Sequence, residues 1–132
     1  MNVETPRLEI HIDRIAHNAS AVISQCGAQG IRVAAVTKVM QAHPALLRAL
    51  EGSGCVMLAD SRIDNLKRIA EAGLDLPTML LRAPTPGNAP EVVAFGAKLR
   101  LCEENCGPQR HALQIRIIDD LFSISSFCNI FM

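Results

Sequence analysis

The sequence predicts an α/β fold in which parallel strands alternate with helices. Short, continuously apolar runs recur along the chain, as expected for strands that are buried on both faces. Apolar residues at helical spacing follow these runs, and glycine or proline separates one element from the next. Strands and helices that alternate in this way form βαβ units, whose right-handed crossovers leave the helices outside the sheet. The pattern fits an open sheet or part of a barrel.

The first predicted unit is a strand at residues 8–12, where apolar and polar residues alternate with the period of a strand. Asp13 is the predicted N-cap of the following helix, and Gly27 and Gly30 are its predicted end. The apolar face of this helix is formed by Ile15, Ala19, Val22, Ile23 and Cys26.

The second unit contains the most apolar predicted strand, at residues 31–37, and Lys38 follows at its end. Pro44 suits the first position of the next helix, because the N–H that proline lacks has no helical partner there. The buried stripe of this helix is predicted at Leu46, Leu47 and Leu50.

The remaining units repeat the pattern. Residues 55–59 form a predicted strand that ends at Asp60, and Ser61 with Asp64 resembles a capping box at the start of the next helix. Its core side is predicted at Ile63, Leu66, Ile69 and Ala70. Further elements are predicted at residues 78–81 (strand), 91–96 (helix) and 98–102 (strand). After about residue 107 the composition changes, and the tail fits a helix followed by a strand.

Composition and charge exclude several classes of function. The 132 residues fit one domain, and 13 basic against 13 acidic residues give no basic excess for nucleic acid or for a membrane surface. No apolar stretch reaches the roughly 18 residues of a spanning helix, and the opening is not that of a signal peptide. Five irregularly spaced cysteines indicate reduced thiols and a cytoplasmic protein.

A metal site is not predicted. Cys102 and Cys106 are the only close pair of cysteines, and their spacing is one residue wider than CxxC. His111 is the only nearby further ligand, so the pair lacks the second half of a zinc site.

Lys38 is the main candidate for chemistry. The carboxyl ends of parallel strands meet at one edge, where ligands bind in such folds, and Lys38 follows the most apolar strand. Apolar surroundings favour the neutral, nucleophilic amine, which forms an imine with an aldehyde cofactor. The alternative is a lysine that extends from the strand end into solvent.

Three further residues are candidates at the same edge. Arg62 and Arg82 present planar guanidinium groups that suit a carboxylate or phosphate, and His43 lies five residues after Lys38. The alternative for the arginines is plain solvent exposure. Neither a GxGxxG nor a GxxxxGK[ST] motif is present.

Four segments follow one another in an order and at a spacing known from one family. They are the opening Pro6-Arg7-Leu8-Glu9-Ile10-His11-Ile12-Asp13-Arg14-Ile15-Ala16-His17-Asn18, the strand end Val36-Thr37-Lys38-Val39, and residues 58–66 and 79–82. Together they resemble the alanine racemase-like, fold type III, pyridoxal-phosphate enzymes, and within these the ornithine racemase-type branch. The resemblance covers roughly residues 3–93.

The resemblance implies a partial, truncated (β/α)8 TIM-type barrel over residues 1–106, with residues 107–132 as an atypical tail. A complete barrel needs about 250 residues. Family members are usually homodimers. By resemblance, Lys38 forms the Schiff base with pyridoxal phosphate and is one of two groups that remove and return the α-proton of an amino acid. The other group in alanine racemases is a tyrosine contributed across the dimer, and this chain contains no tyrosine.

Three functions therefore stay open. The first is the N-terminal part of an amino-acid racemase that is inactive alone, of ornithine or alanine type, with the ornithine type favoured. The second is a non-catalytic pyridoxal-phosphate-binding protein of cofactor homeostasis, which uses the same lysine. The third is an inactive remnant, truncated or shifted in reading frame after about residue 103.

Overall fold

The computed structural model describes residues 6, 8–82, 84–95, 97–100 and 127–131, which form a five-stranded parallel sheet with helices between the strands. The elements are α1 (Ile12–Gly27), β1 (Arg32–Val36), α2 (Pro44–Gly52), β2 (Met57–Asp60), α3 (Ile63–Glu71), β3 (Thr78–Leu80), α4 (Ala89–Ala94), β4 (Ala97–Arg100) and β5 (Phe127–Phe131). The strand order is β4-β3-β2-β1-β5. The predicted α/β class with parallel strands is confirmed.

The register aligns the carboxyl ends of the three central strands. Val36 of β1 lies opposite Ala59 of β2, and Asp60 at the end of β2 lies opposite Leu80 of β3. The residues that follow these strands therefore leave the sheet at the same level.

Both faces of the sheet are apolar, which explains the continuously apolar strand sequences. One face, with Ala35, Leu58 and Leu80, packs in one cluster with the helices, including Leu47 of α2 and Leu66 of α3. The predicted stripe of α2 is confirmed, since all three of its leucines are buried. The other face forms a second buried cluster of Ala34, Val36, Met57, Ala59 and Met79.

The predicted strand at residues 8–12 is wrong. Residues 8–11 form no strand in the described structure, and α1 begins at Ile12. Leu8 is 81% exposed and Ile10 is 42% exposed, so the alternation has no buried face here. Asp13 is also not the N-cap. His11 occupies that position. Asp13 lies in the first turn of α1, where its carboxylate interacts favourably with the helix dipole.

The predicted start of α3 is wrong as well. Arg62, not Ser61, is the N-cap residue, and no side chain caps this helix. The core side of α3 includes Asn65, which is buried, whereas Ala70 is exposed. The polar Asn65 is buried because it has a hydrogen-bond partner, which belongs to the site described below.

The C-terminal tail is described only at residues 127–131, which form β5 and pair in parallel with β1 from Arg32 to Val36. A strand in the tail is thus confirmed, whereas the predicted helix lies outside the described residues. The same holds for Cys102, Cys106 and His111. Within the described ranges, each helix is too short or too polar to cross a membrane.

Candidate functional site

Lys38 lies at the carboxyl edge of the sheet, directly after β1. Four of the five residues of β1 are buried, and the strand continues into the fully buried Thr37. The backbone N–H of Thr37 donates to the carbonyl of Ala59, with 3.0 Å between N and O, which extends the β1–β2 ladder by one residue. Lys38 then begins a short 3-10 turn (Lys38–Met40) and is half-buried. The predicted placement of Lys38 at this edge is confirmed, whereas its role stays a prediction.

The turn after Lys38 has an unusual backbone. Gln41 and Ala42 adopt φ values of 50° and 51°, in the left-handed region that costs a non-glycine residue roughly 1–2 kcal/mol. Two hydrogen bonds hold this conformation. Nη1 of Arg68 donates to the Gln41 carbonyl at 2.9 Å, and the N–H of Ala42 donates to the Thr37 carbonyl at 3.3 Å. The chain that leaves the lysine is therefore fixed rather than free to fray.

His43 ends this turn and begins the next helix. It is the N-cap residue of α2, and its Nδ1 accepts a hydrogen bond from the N–H of Ala45 at 3.3 Å. The side chain is exposed. An imidazole that accepts at Nδ1 must be unprotonated there. His43 thus has a capping function close to Lys38, and its predicted contact with a cofactor stays a prediction.

A buried carboxylate lies at the same edge. Asp60, at the end of β2, is fully buried, and its side chain accepts three hydrogen bonds. Oδ2 accepts from Oγ1 of Thr37 at 2.7 Å and from Nδ2 of Asn65 at 2.9 Å, and Oδ1 accepts from the N–H of Arg62 at 2.9 Å. Sequence reasoning placed Asp60 at the edge but assigned it no role. The signal that was available is an acidic residue that directly continues a buried apolar strand.

Arg62 and Arg82 reach the edge from the neighbouring strands. Arg62 follows β2, Arg82 follows β3, and both are exposed. The N–H of Leu81 donates to the Asp60 carbonyl at 2.9 Å, so the segment that carries Arg82 is hydrogen-bonded to the end of β2. Lys38, Arg62 and Arg82 thus each follow a strand that ends at one edge of the sheet, and His43 lies at the end of the turn after Lys38. The structure commits the side chain of His43 to a helix cap and leaves the two arginines in solvent.

A cavity of about 490 Å³ lies beside residues 38–42, which are called the lysine turn below. Its described lining is Leu8, Ile10, residues 39–44 and Arg68. The lining begins one residue after Lys38 and includes neither Arg62 nor Arg82. It is therefore a groove between the N-terminal segment and the turn, and His43 is the one candidate cofactor residue in its described lining.

Comparison with known proteins agrees with this arrangement. Residues 10–105 match the family described as alanine racemase, N-terminal domain. The match includes β1, the lysine turn, Asp60 and both arginines. The chain belongs to the alanine racemase N-terminal domain family.

Two relatives of this alanine racemase N-terminal domain have names that state a substrate. The lysine racemase of Thermotoga maritima is 39% identical over 79 residues, which are 60% of this chain and 22% of that protein. The ornithine racemase of Acetoanaerobium sticklandii is 32% identical over 90 residues, which are 68% of this chain and 25% of that protein. The chain thus matches about a quarter of the length of these relatives.

The family resemblance implies pyridoxal phosphate, and the residues present fit its functional groups. Its aldehyde needs an amine, and Lys38 would supply one from a half-buried 3-10 turn. Its phosphate needs cations or N–H donors, and Arg62 and Arg82, both exposed, follow the two strands that end at the same edge. In the described part of the chain no group of three or more His, Cys, Asp or Glu side chains is placed to hold a metal ion.

Proposed function

We propose that this chain is the lysine-bearing part of a pyridoxal-phosphate-dependent amino-acid racemase, in which Lys38 binds the cofactor. The observation that carries the proposal is the position of Lys38, half-buried at the carboxyl edge of a parallel sheet and fixed by hydrogen bonds on both sides of it. Family membership supports the same proposal.

Lys38 has two tasks in this function. Its Nζ would hold the cofactor through the aldehyde group. As one of two acid/base groups, the same Nζ would take the α-proton of one enantiomer, or deliver a proton to the same face of the substrate Cα in the opposite direction. The chemistry that pyridoxal phosphate supplies when bound is an electron sink for that Cα. Arg62 and Arg82 orient the anionic groups of the ligands, because a guanidinium group forms paired hydrogen bonds with carboxylate or phosphate oxygens.

Racemisation also requires a second acid/base group on the opposite face of the Cα. The chain contains no tyrosine, the residue that the family resemblance implies for this task. We therefore propose that this chain alone binds the cofactor but does not complete the reaction.

The names of the relatives support a basic amino acid as substrate, since they are a lysine racemase and an ornithine racemase. The racemase part is proposed to comprise residues 1–106, with residues 107–132 as an appended tail. This division is supported by the family match, which covers residues 10–105. Assembly is proposed to be homodimeric, as the resemblance implies. A cytoplasmic location is proposed on the five irregularly spaced cysteines of the sequence, a pattern typical of proteins in a reducing compartment.

Titration with pyridoxal phosphate tests the proposal, because the absorbance of the cofactor shifts when an amine binds its aldehyde. We expect a saturable shift in the wild type that is lost in Lys38→Ala and retained in Lys67→Ala. Lys67 is a suitable control, because it is exposed on α3. Its Nζ lies 4.0 Å from a carboxylate oxygen of Glu71, which is also exposed. Equal shifts in the two variants contradict the proposal.

Addition of an amino acid separates the racemase from the cofactor carrier. A racemase site lets ornithine or lysine displace Lys38 from the cofactor, so the absorbance changes again. A carrier without an amino-acid site gives no second change at the same concentrations of these amino acids.

A further inference from the structure

We propose that Asp60 is a positioning residue for Lys38, and that it acts through the hydroxyl of Thr37, the residue directly before the lysine. The juxtaposition that points to this role is a fully buried carboxylate at the end of β2, bonded to the side chain that ends β1. The inference rests on the proposed function only for its purpose, which is to aim the amine of Lys38.

The burial of Asp60 needs an explanation, because a charged group loses its hydration when it is buried and is tolerated only where hydrogen bonds replace it. Three donors replace the water around this carboxylate, and they come from three different segments. Thr37 belongs to the end of β1, Arg62 to the loop after β2, and Asn65 to α3. The shortest of the three bonds, at 2.7 Å, is the bond from Thr37, as expected for a hydroxyl that donates to a carboxylate.

Thr37 is the residue through which the effect reaches Lys38. Its N–H donates to the Ala59 carbonyl at 3.0 Å, and its own carbonyl accepts from the N–H groups of Met40 at 3.2 Å and Ala42 at 3.3 Å. Its hydroxyl donates to Asp60. Backbone and side chain of Thr37 are thus both fixed, so the direction in which the chain enters the lysine turn is fixed as well.

The network lies on the helix side of the sheet. Side chains of a strand alternate between its faces, so Asp60 shares a face with Leu58, which packs with the helices. Asn65, its partner on α3, reaches it from that side. An apolar residue at position 60 would leave the donors of Thr37, Arg62 and Asn65 without this acceptor. A carboxylate adds directional hydrogen bonds, and these bonds connect the end of β1 to α3.

The test uses Thr37→Val, which removes the hydroxyl but keeps the shape, and Asp60→Asn, which removes the charge. Thr37→Ser restores the hydroxyl. Thr78→Val is the matched control, because Thr78 is also a buried threonine of the sheet but lies two residues before the end of β3. Thermal melting curves, together with hydrogen exchange of the backbone amides in α1, α2 and α3, verify that each variant is folded. If Asp60→Asn does not fold, Thr37→Val decides alone.

Two readouts are made on each variant. The first needs no cofactor: acetylation of Lys38 relative to Lys67 by a small acylating reagent, measured by mass spectrometry. The second is borohydride trapping of pyridoxal phosphate on Lys38 relative to Lys67. Loss of one hydrogen bond should shift the equilibrium between the positioned and the displaced Lys38 about 2- to 10-fold. In Thr37→Val and Asp60→Asn we therefore expect acetylation of Lys38 to rise, and trapping of the cofactor on Lys38 to fall, by such factors. Thr37→Ser and Thr78→Val should match the wild type.

Unchanged acetylation of Lys38 in folded Thr37→Val overturns the positioning role, whatever the trapping shows. An equal rise in Thr78→Val also overturns it, because the effect is then one of general stability. If acetylation responds as expected but the wild type traps no cofactor on Lys38, the positioning role stands and the proposed function fails. The two failures are therefore distinguishable.

Discussion

The thiol of Cys55 should make the stability of the protein fall at high pH. Cys55 is 4% exposed, and its Sγ donates to the carbonyl of Leu50 at 3.2 Å. Burial raises the pKa of this thiol from 9.0 to about 11, and the negative charge of Glu51 contributes in the same direction. The thiol therefore keeps its proton in the folded protein at pH values where the unfolded chain has released it.

The size of the effect follows from this difference in pKa. The stabilisation is fully present below pH 9 and is lost as the pH rises through 11, because the folded state binds the proton more tightly than the unfolded state. At about 1.36 kcal/mol for each pKa unit, the free energy of unfolding should fall by roughly 2.7 kcal/mol once the pH exceeds 11.

Urea unfolding of the wild type and of Cys55→Ala, at several pH values between 8 and 11, measures this loss. Circular dichroism is the suitable probe, since the chain lacks tryptophan and tyrosine. The absence of tyrosine also removes a phenol that would titrate in the same range. The advantage of the wild type over Cys55→Ala should shrink steadily above pH 9. A constant difference between the two proteins up to pH 11 would refute the reasoning.

Three further predictions concern packing, the lysine turn and the sheet edge. Leu47→Ala should lower the free energy of unfolding by about 2–5 kcal/mol in urea titrations, since Leu47 is fully buried in the core cluster, and a loss below 1 kcal/mol would contradict that packing. Gln41→Gly should raise it by about 0.5–1 kcal/mol, because glycine tolerates the φ of 50° at this exposed position, and a decrease would show that the turn is not left-handed. Removal of residues 127–131 should expose the hydrogen-bonding edge of β1 and produce oligomers in light scattering, whereas unchanged scattering would contradict the pairing of β5 with β1.

The strands around the site could be predicted because their sequences carry a strong signal. Residues 33–36 are continuously apolar, and the structure buries them between two apolar clusters. Once parallel strands are predicted, their carboxyl ends must share an edge, so the position of Lys38 and the neighbourhood of Arg62 and Arg82 followed from the sequence.

The errors have equally physical causes. The alternation at residues 8–12 is a real strand pattern, but a strand also requires a partner for its backbone, and residues 8–11 have no strand pairing in the described structure. Ser61 is a suitable cap by residue type, but the helix begins one residue later with Arg62 as its N-cap, and the N–H of Arg62 donates to the side chain of Asp60. That interaction depends on the burial of Asp60, which the position of Asp60 directly after an apolar strand indicates but which the residue types at the helix start do not.

The left-handed turn after the lysine could not be predicted either. Gln41 and Ala42 are not the residue types that favour positive φ. Their conformation is held by Arg68, which lies 27 residues away in sequence. Contacts of this kind are tertiary, so local pattern carries no trace of them.

Peptide mapping after borohydride reduction tests the central claim most directly. The folded chain is mixed with pyridoxal phosphate and reduced, and the adduct on each of its three lysines, Lys38, Lys67 and Lys98, is measured by mass spectrometry. A stoichiometric adduct confined to Lys38 is the predicted result. Equal labelling of the three lysines would contradict the claim that this edge of the sheet is a cofactor site.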